Sequence, residues 1–299
     1  MFRTCKTRAL LAAVLIAGCA AVTPDLPSIT ESPTGERYVG KVVWHDLLTS
    51  TPVESRHFYG ELFGWTFEEP GIDIGIGGSA YMLIRHNGQL IGGMVDANAL
   101  DTKEDVSQWI TMMSVGDVNA AVAAATKSGG TILREPTSLK SRGTLAIIED
   151  PSGAVFALLQ TKDGDPADRE PEVNGFLWDE LWTVNVAQAG QFYTDVLGFE
   201  HEDRDIEKTE DPNDSYHLLK SGDKPRAGIL INPYKDVRPV WVNYLRVEDP
   251  AAITARVEDL GGQILLDTQQ RDIGGEVAFV TGPSGAGIAL QTWPLDPEQ

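Results

Sequence analysis

The sequence predicts an α+β fold made of two tandem copies of one domain. A string of motifs recurs once along the 299 residues, at an offset that stays between 132 and 135. Within each copy the apolar pattern switches repeatedly between the period of a strand and that of a helix. Composition agrees, since 42% hydrophobic and 23% charged residues is the balance of a chain that buries a core, and the length suits about two domains.

The repeat is dense. Trp44-His45-Asp46-Leu47-Leu48-Thr49 returns as Trp178-Asp179-Glu180-Leu181-Trp182-Thr183. Phe58-Tyr59 returns as Phe192-Tyr193, Leu62-Phe63-Gly64-Trp65 as Val196-Leu197-Gly198-Phe199, and Tyr81-Met82-Leu83-Ile84 as Tyr216-His217-Leu218-Leu219. Trp109 matches Trp241, Gly129-Gly130 matches Gly261-Gly262, and Pro151-Ser152-Gly153-Ala154 matches Pro283-Ser284-Gly285-Ala286.

In the first copy, residues near 41–49 are strand-like, and Val53 to Phe63 has apolar residues at helical spacing with Gly64 at a helix stop. Strands follow near 65–69, 79–86 and 89–95, the last two joined by the hairpin turn Asn87-Gly88. A second set starts at Trp109–Val115, continues through an Ala-rich helix from the N-cap Asp117 to about Lys127, and stops at Gly129-Gly130. Strands near 131–134, 143–148 and 154–160 close it. Each copy is thus a pair of βαβββ modules. The domains are placed at 38–160 and 174–295, with a linker over 161–173 that is rich in Gly, Asp, Pro and Glu.

A strand, a helix ending in Phe-Tyr…Leu-Phe-Gly-Trp, an Ala-rich helix, Gly-Gly and a closing Asp-Pro-Ser-Gly-Ala strand resemble the vicinal-oxygen-chelate superfamily, which groups glyoxalases, bleomycin-resistance proteins and dioxygenases. The resemblance implies that the modules curl into an open, funnel-like sheet around a small-molecule site. It also implies a divalent metal held at four funnel positions by His, Gln or Glu. Counted from the anchors, those positions fall on Trp44 and Trp178, near Met94 and Ile229, on Ile110 and Val242, and on Ala157 and Ala289. None carries a metal donor, so no metal cofactor is expected. The alternative is a divalent ion (Fe, Mn, Zn, Ni or Co), with His45 as a ligand if the strand register is shifted by one residue. His57, His86, His201 and His217 fall on a helix, a hairpin turn, a connection and a strand, and match no ligand position.

With alternation along a strand, Trp44, Asp46 and Leu48 share one face of the first strand, and Trp178, Glu180 and Trp182 share one face of its repeat. Placed toward the funnel, the tryptophans and Leu48 are candidate ligand contacts. Asp46 and Glu180 are candidate general acid/base groups, or carboxylates that only shape the strand. Gln160 and Gln291, late on the closing strands, are further candidate contacts. Arg142 and Arg271, each before a seventh strand, read as solvated surface charge or as anion-greeting groups at the mouth. Gly75-Ile76-Gly77-Gly78 lacks the strand-to-helix context of a phosphate loop and reads as a flexible rim.

The first residues read as an export signal. Arg3, Lys6 and Arg8 precede the apolar run Ala9–Ala17, and Ile16-Ala17-Gly18-Cys19 resembles the lipobox of bacterial lipoproteins. The resemblance implies removal of residues 1–18, lipidation at Cys19, and an envelope protein on the periplasmic side, with Ala20 pointing to the outer membrane. Residues 19–37, rich in Pro, Ser and Thr, read as a tether. Cys5 lies within the signal, which leaves no pair for an internal disulfide. The 44 acidic against 24 basic residues give a net charge of −20, and −23 once three signal-peptide bases are lost. Such a surface repels phosphate backbones and excludes nucleic acid as a partner.

The expectation is therefore a lipid-anchored protein that binds a small organic ligand in a funnel without metal. A lyase, isomerase or oxygenase, metal-dependent or using Asp46 or Glu180, is the catalytic alternative. A non-catalytic scaffold is the third.

Overall fold

The computed structural model describes residues 25–70, 80–100, 102, 104–204, 216–234, 237–271 and 274–293. The signal, Cys19 and the Gly75–Gly78 rim lie outside the described residues. No helix among those described is long and apolar enough to cross a membrane.

The first domain contains β1 (Val42–Thr49), α1 (Pro52–Phe63), β2 (Thr66–Glu68), β3 (Tyr81–His86) and β4 (Gln89–Asp96), then β5 (Gln108–Ser114), α2 (Val118–Lys127), β6 (Thr131–Ser138), β7 (Gly143–Glu149) and β8 (Val155–Thr161). The second repeats this as β9 (Phe176–Thr183), α3 (Val186–Leu197), β10 (Glu200–Arg204), β11 (Tyr216–Ser221), β12 (Lys224–Ile231), β13 (Val240–Arg246), α4 (Pro250–Val257), β14 (Gln263–Gln270), β15 (Glu276–Thr281) and β16 (Gly287–Gln291). Each domain is one open eight-stranded mixed sheet, ordered β2-β3-β4-β1-β5-β8-β7-β6 and β10-β11-β12-β9-β13-β16-β15-β14. The modules join where their first strands pair antiparallel, β1 with β5 and β9 with β13. His201 lies within strand β10, not in a connection.

The local signals act as their chemistry dictates. Gly64 and Gly198 adopt the left-handed conformation that ends α1 and α3. Asp117 caps α2 by accepting from the Asn119 and Ala120 N–H groups.

The domains pack back to back on their helix-bearing faces. One shared core joins Phe156, Val122 and Leu158 of the first domain to Phe192, Tyr193 and Trp241 of the second. Its counterpart joins Phe58, Tyr59 and Trp109 to Leu245, Val257 and Leu290. The repeated Phe-Tyr and Trp motifs therefore serve the interface. Trp109 Nε1 donates to Tyr59 Oη at 3.2 Å, and Trp241 Nε1 to Tyr193 Oη at 2.8 Å. The second glycine of each Gly-Gly pair lets the domains approach, for a Cβ at Gly130 would stand 2.9 Å from the Phe192 ring and one at Gly262 2.6 Å from Phe58.

At the centre of this contact His45 meets Asp179, its own equivalent in the repeat. His45 Nε2 and Asp179 Oδ1 lie 2.8 Å apart. Asn243 Nδ2 donates to Asp179 Oδ1 at 2.5 Å and to Thr111 Oγ1 at 2.6 Å, and the His45 ring stacks on Phe176 at 3.8 Å. His45 thus faces the interface, opposite to the funnel. Its neighbours Trp44 and Asp46 keep their register with β5 at this point, so no bulge turns it inward as a ligand.

Candidate functional site: one filled funnel and one open funnel

Back-to-back packing leaves the concave faces pointing away from each other. In the first domain this face carries Trp44, Asp46 and Leu48 of β1, and it is full. Residues 25–29 of the segment read as a tether are docked in it. Leu26 and Ile29, 8% and 3% exposed, join the core formed with Trp44, Leu48, Met112 and Leu159. The Leu26 N–H donates to the Leu139 carbonyl at 3.3 Å, and Asp25 Oδ1 accepts from the Ser141 N–H at 3.1 Å.

Arg142 is 1% exposed, against the expectation of a solvated surface charge. Its Nη1 donates to Tyr81 Oη at 2.7 Å and its Nε to the Pro27 carbonyl at 3.1 Å. The guanidinium lies 4.5 Å from the Trp44 ring centroid, a cation–π arrangement. Asp46 completes the network, accepting from Trp44 Nε1 at 2.8 Å and from Tyr81 Oη at 2.9 Å. Burial raises its pKa from the usual carboxylate value, while Arg142 and the two hydrogen bonds pull it back down.

The second domain repeats the network with a longer acid. Trp178 Nε1 donates to Tyr216 Oη at 2.9 Å, and Tyr216 Oη donates to Glu180 Oε1 at 3.0 Å. Tyr244 Oη donates to the other oxygen at 2.5 Å. Burial, then the Glu180 charge, holds both tyrosine hydroxyls well above their ordinary pKa. Arg271 is bonded to Gln291 and lies 6.0 Å from the Tyr244 ring centroid. Above these groups is a cavity of about 350 Å³ lined by Trp182, Tyr234, Tyr244, Phe279, Arg271 and Leu266, among others.

Two separate stretches, residues 41–158 and 176–290, match the family model of the Glyoxalase/Bleomycin resistance protein/Dioxygenase superfamily. The chain belongs to that superfamily. It is 28% identical over 246 residues to CFP32 of Mycobacterium tuberculosis, a protein bearing the name of a glyoxylase, covering 81% of this chain and 91% of the relative. It is likewise 28% identical over 267 residues to the anthracycline biosynthesis protein DnrV of Streptomyces peucetius, covering 84% and 92%. Among solved structures, the fold is similar to a Mn(II)-bound glyoxalase from Novosphingobium aromaticivorans, with a TM-score of 0.57, 17% identity and coverage of 86% and 83%. It is also similar to a catechol 2,3-dioxygenase, with a TM-score of 0.55, 16% identity and coverage of 87% and 96%. The superfamily fold, with its open sheet, is able to cradle a small organic ligand.

The superfamily's metal does not fit the residues present. Met94 and Ile229, expected in the funnel, face the domain interface. A one-residue slip along β4 and β12 causes this error, and the positions paired with Asp46 and Glu180 are Gly93 and Gly228. A Cβ at Gly93 would collide with Tyr81 Oη and Asp46 Oδ1, and one at Gly228 with Tyr216 Oη. The tyrosine–carboxylate pair therefore requires glycine at these positions. The corrected sets, Trp44, Gly93, Ile110, Ala157 and Trp178, Gly228, Val242, Ala289, offer no metal-donor atom. No three His, Cys, Asp or Glu side chains converge among the described residues.

Gln160, a candidate contact from its place late on the closing strand, does not reach the funnel. It lies on the helix side of β8, where its Oε1 accepts from the Val118 N–H at the start of α2, 3.0 Å away. Gln291, the other candidate, is equivalent to Leu159 and faces the funnel. Trp182 lines the cavity, whereas Trp178 stands beside it and orients Tyr216. Sequence reasoning missed the roles of Tyr81 and Tyr216, although both recur in step with the acid. It also missed Tyr234, Tyr244 and Phe279, which have no aromatic counterpart that would flag them.

Proposed function

We propose that this protein binds a small organic ligand in the second funnel alone, without a metal, while the first funnel has become a structural element. The observation that carries this reading is the contrast in occupancy. The chain's own Leu26 and Ile29 fill the first funnel, and the second keeps a cavity. Acid/base catalysis has less support. Asp46 lies beneath a filled funnel, and both Glu180 oxygens already accept tyrosine hydroxyls.

We further propose export and lipid anchoring at Cys19, on the basis of the signal-like N-terminus. Five residues lie between Cys19 and the docked Asp25, a reach of roughly 20 Å when extended. A lipid there would hold the mouth of the first funnel near the membrane and turn the second away from it.

Two measurements on the same preparation test this, with protein purified without chelators or an affinity tag. Elemental mass spectrometry is expected to find no stoichiometric metal, and divalent ions should not raise the Tm. A thermal-shift screen of small organic fragments should give stabilising compounds whose effect disappears in Trp182→Ala. A stoichiometric, stabilising metal would overturn the metal-free reading. Hits that stabilise wild type and Trp182→Ala equally would overturn the assignment of the site.

A further inference from the structure

We infer that the second funnel selects a planar aromatic molecule bearing a carbonyl or carboxylate oxygen, an inference that rests on the binding reading above. The first funnel shows what its walls were matched to. Leu48, Met112, Ile147 and Leu159 are apolar and non-aromatic, and the occupant presents the aliphatic Leu26 and Ile29. At the equivalent positions, fixed by the repeated strand pairing, the second funnel carries Trp182, Tyr244, Phe279 and Gln291. Three of the four positions are exchanged for aromatic rings. With Tyr234, these rings form walls rather than a closed stack. Trp182 lies 5.2 Å from Phe279 at 55° and 5.6 Å from Tyr234 at 37°, and Tyr234 and Phe279 are nearly parallel at 6.4 Å. Flat faces of this kind favour a flat guest. A volume of about 350 Å³, at the small end of ligand pockets, suits about two or three fused rings.

The polar requirement follows from two donors. Trp182, 6% exposed, lines the cavity, and its Nε1 is buried without a hydrogen-bond partner among the described residues. A buried N–H without a partner marks a place where an acceptor is missing. The second donor is Arg271. It lines the cavity, and its guanidinium carries five N–H donors, one of them given to Gln291. The acidic groups do not compete for this role, since the Glu180 oxygens face the two tyrosine hydroxyls. The wall therefore presents donors and aromatic faces, and an oxygen acceptor conjugated to an aromatic ring meets both.

The test is a ligand-observed NMR titration of the full chain with four probes: 2-naphthoate, 2-acetonaphthone, 2-ethylnaphthalene and decanoate. The first two combine ring and acceptor, the third lacks the acceptor, and the fourth lacks the ring. At least one of the first two is expected to bind about tenfold or more tighter than either control, the worth of one well-made hydrogen bond to a desolvated donor. Trp182→Phe, which keeps a ring and removes the N–H, should erase that advantage, bringing the acceptor-bearing probes to the affinity that 2-ethylnaphthalene shows for the same variant. Binding of decanoate or 2-ethylnaphthalene as tight as the acceptor-bearing probes would overturn this inference while leaving the cavity as a binding site. Binding of none of the four would overturn the inference and count against the binding reading itself.

Discussion

Arg142 and Arg271 each precede a seventh strand, but the repeated backbone bonds make Leu139, not Arg142, the counterpart of Arg271, and the surroundings of the two arginines differ. Arg142 is sealed between Trp44, Tyr81 and the Pro27 carbonyl at 1% exposure. Arg271 is only partly buried and borders a cavity. The acid, the tyrosine, the tryptophan and the glycine beneath them are retained in both funnels as Asp46 or Glu180, Tyr81 or Tyr216, Trp44 or Trp178, and Gly93 or Gly228. A duplicated polar floor can therefore serve either as the base of a packed core or as the base of a binding site. The layer above it decides which.

The largest expected effect breaks this symmetry directly. Arg142→Leu removes the cation that offsets the buried Asp46 and should cost about 3–5 kcal/mol of unfolding free energy. Arg271→Leu, at a partly exposed site, should cost no more than about 1 kcal/mol. Urea melts of the two variants check this, and equal losses would remove the distinction between the funnels.

The next effect belongs to the occupant. Leu26→Ala should cost about 2 kcal/mol, the low end for a buried leucine, because the segment can detach instead of holding a cavity. The amide of Leu26, bonded to Leu139, should then lose its protection in hydrogen exchange.

That occupant was not legible in the sequence. Residues 25–30 have no periodicity and only two large apolar side chains, and their place depends on a groove that tertiary structure creates. Arg142 was visible as a charge beside a seventh strand, but a lone charge reads as exposed until its partners are known. The fold itself was legible, because the helix-stop glycines, the Asn87-Gly88 turn and the duplicated periodicity are local signals. The funnel face of β1 was legible for the same reason, since alternation separates Trp44 and Asp46 from His45. Counting from distant anchors failed near Met94 and Ile229, where a slip of one residue exchanges funnel for interface, and Gln160, chosen for its place late on a closing strand, lies on the helix side.

A third prediction uses pH. The Asp46 pKa is raised in the folded protein from its ordinary 3.8, chiefly by burial. A raised carboxyl binds its proton more tightly when folded. Its contribution is therefore complete below that ordinary value and is lost as pH rises through the folded value. Wild type should lose stability relative to Asp46→Asn as pH rises above about 4, as followed by denaturant melts across that window. A difference between the two that does not vary with pH would contradict the shift.

The smallest expected effect separates the two glutamines. Gln160→Ala should cost about 0.5–1.5 kcal/mol through the lost bond to the start of α2, with no change in ligand binding. Gln291→Ala should leave stability nearly unchanged and weaken binding in the second funnel, through the freed Arg271.

The most direct measurement is the stoichiometry of binding, by calorimetric titration of the full chain with 2-naphthoate or 2-acetonaphthone, whichever binds more tightly. One site per chain is predicted, abolished by the double variant Trp182→Leu, Phe279→Leu and unaffected by Leu48→Ala in the first funnel. Two equivalent sites, or a single site that survives the double variant, would contradict the assignment of ligand binding to the second funnel.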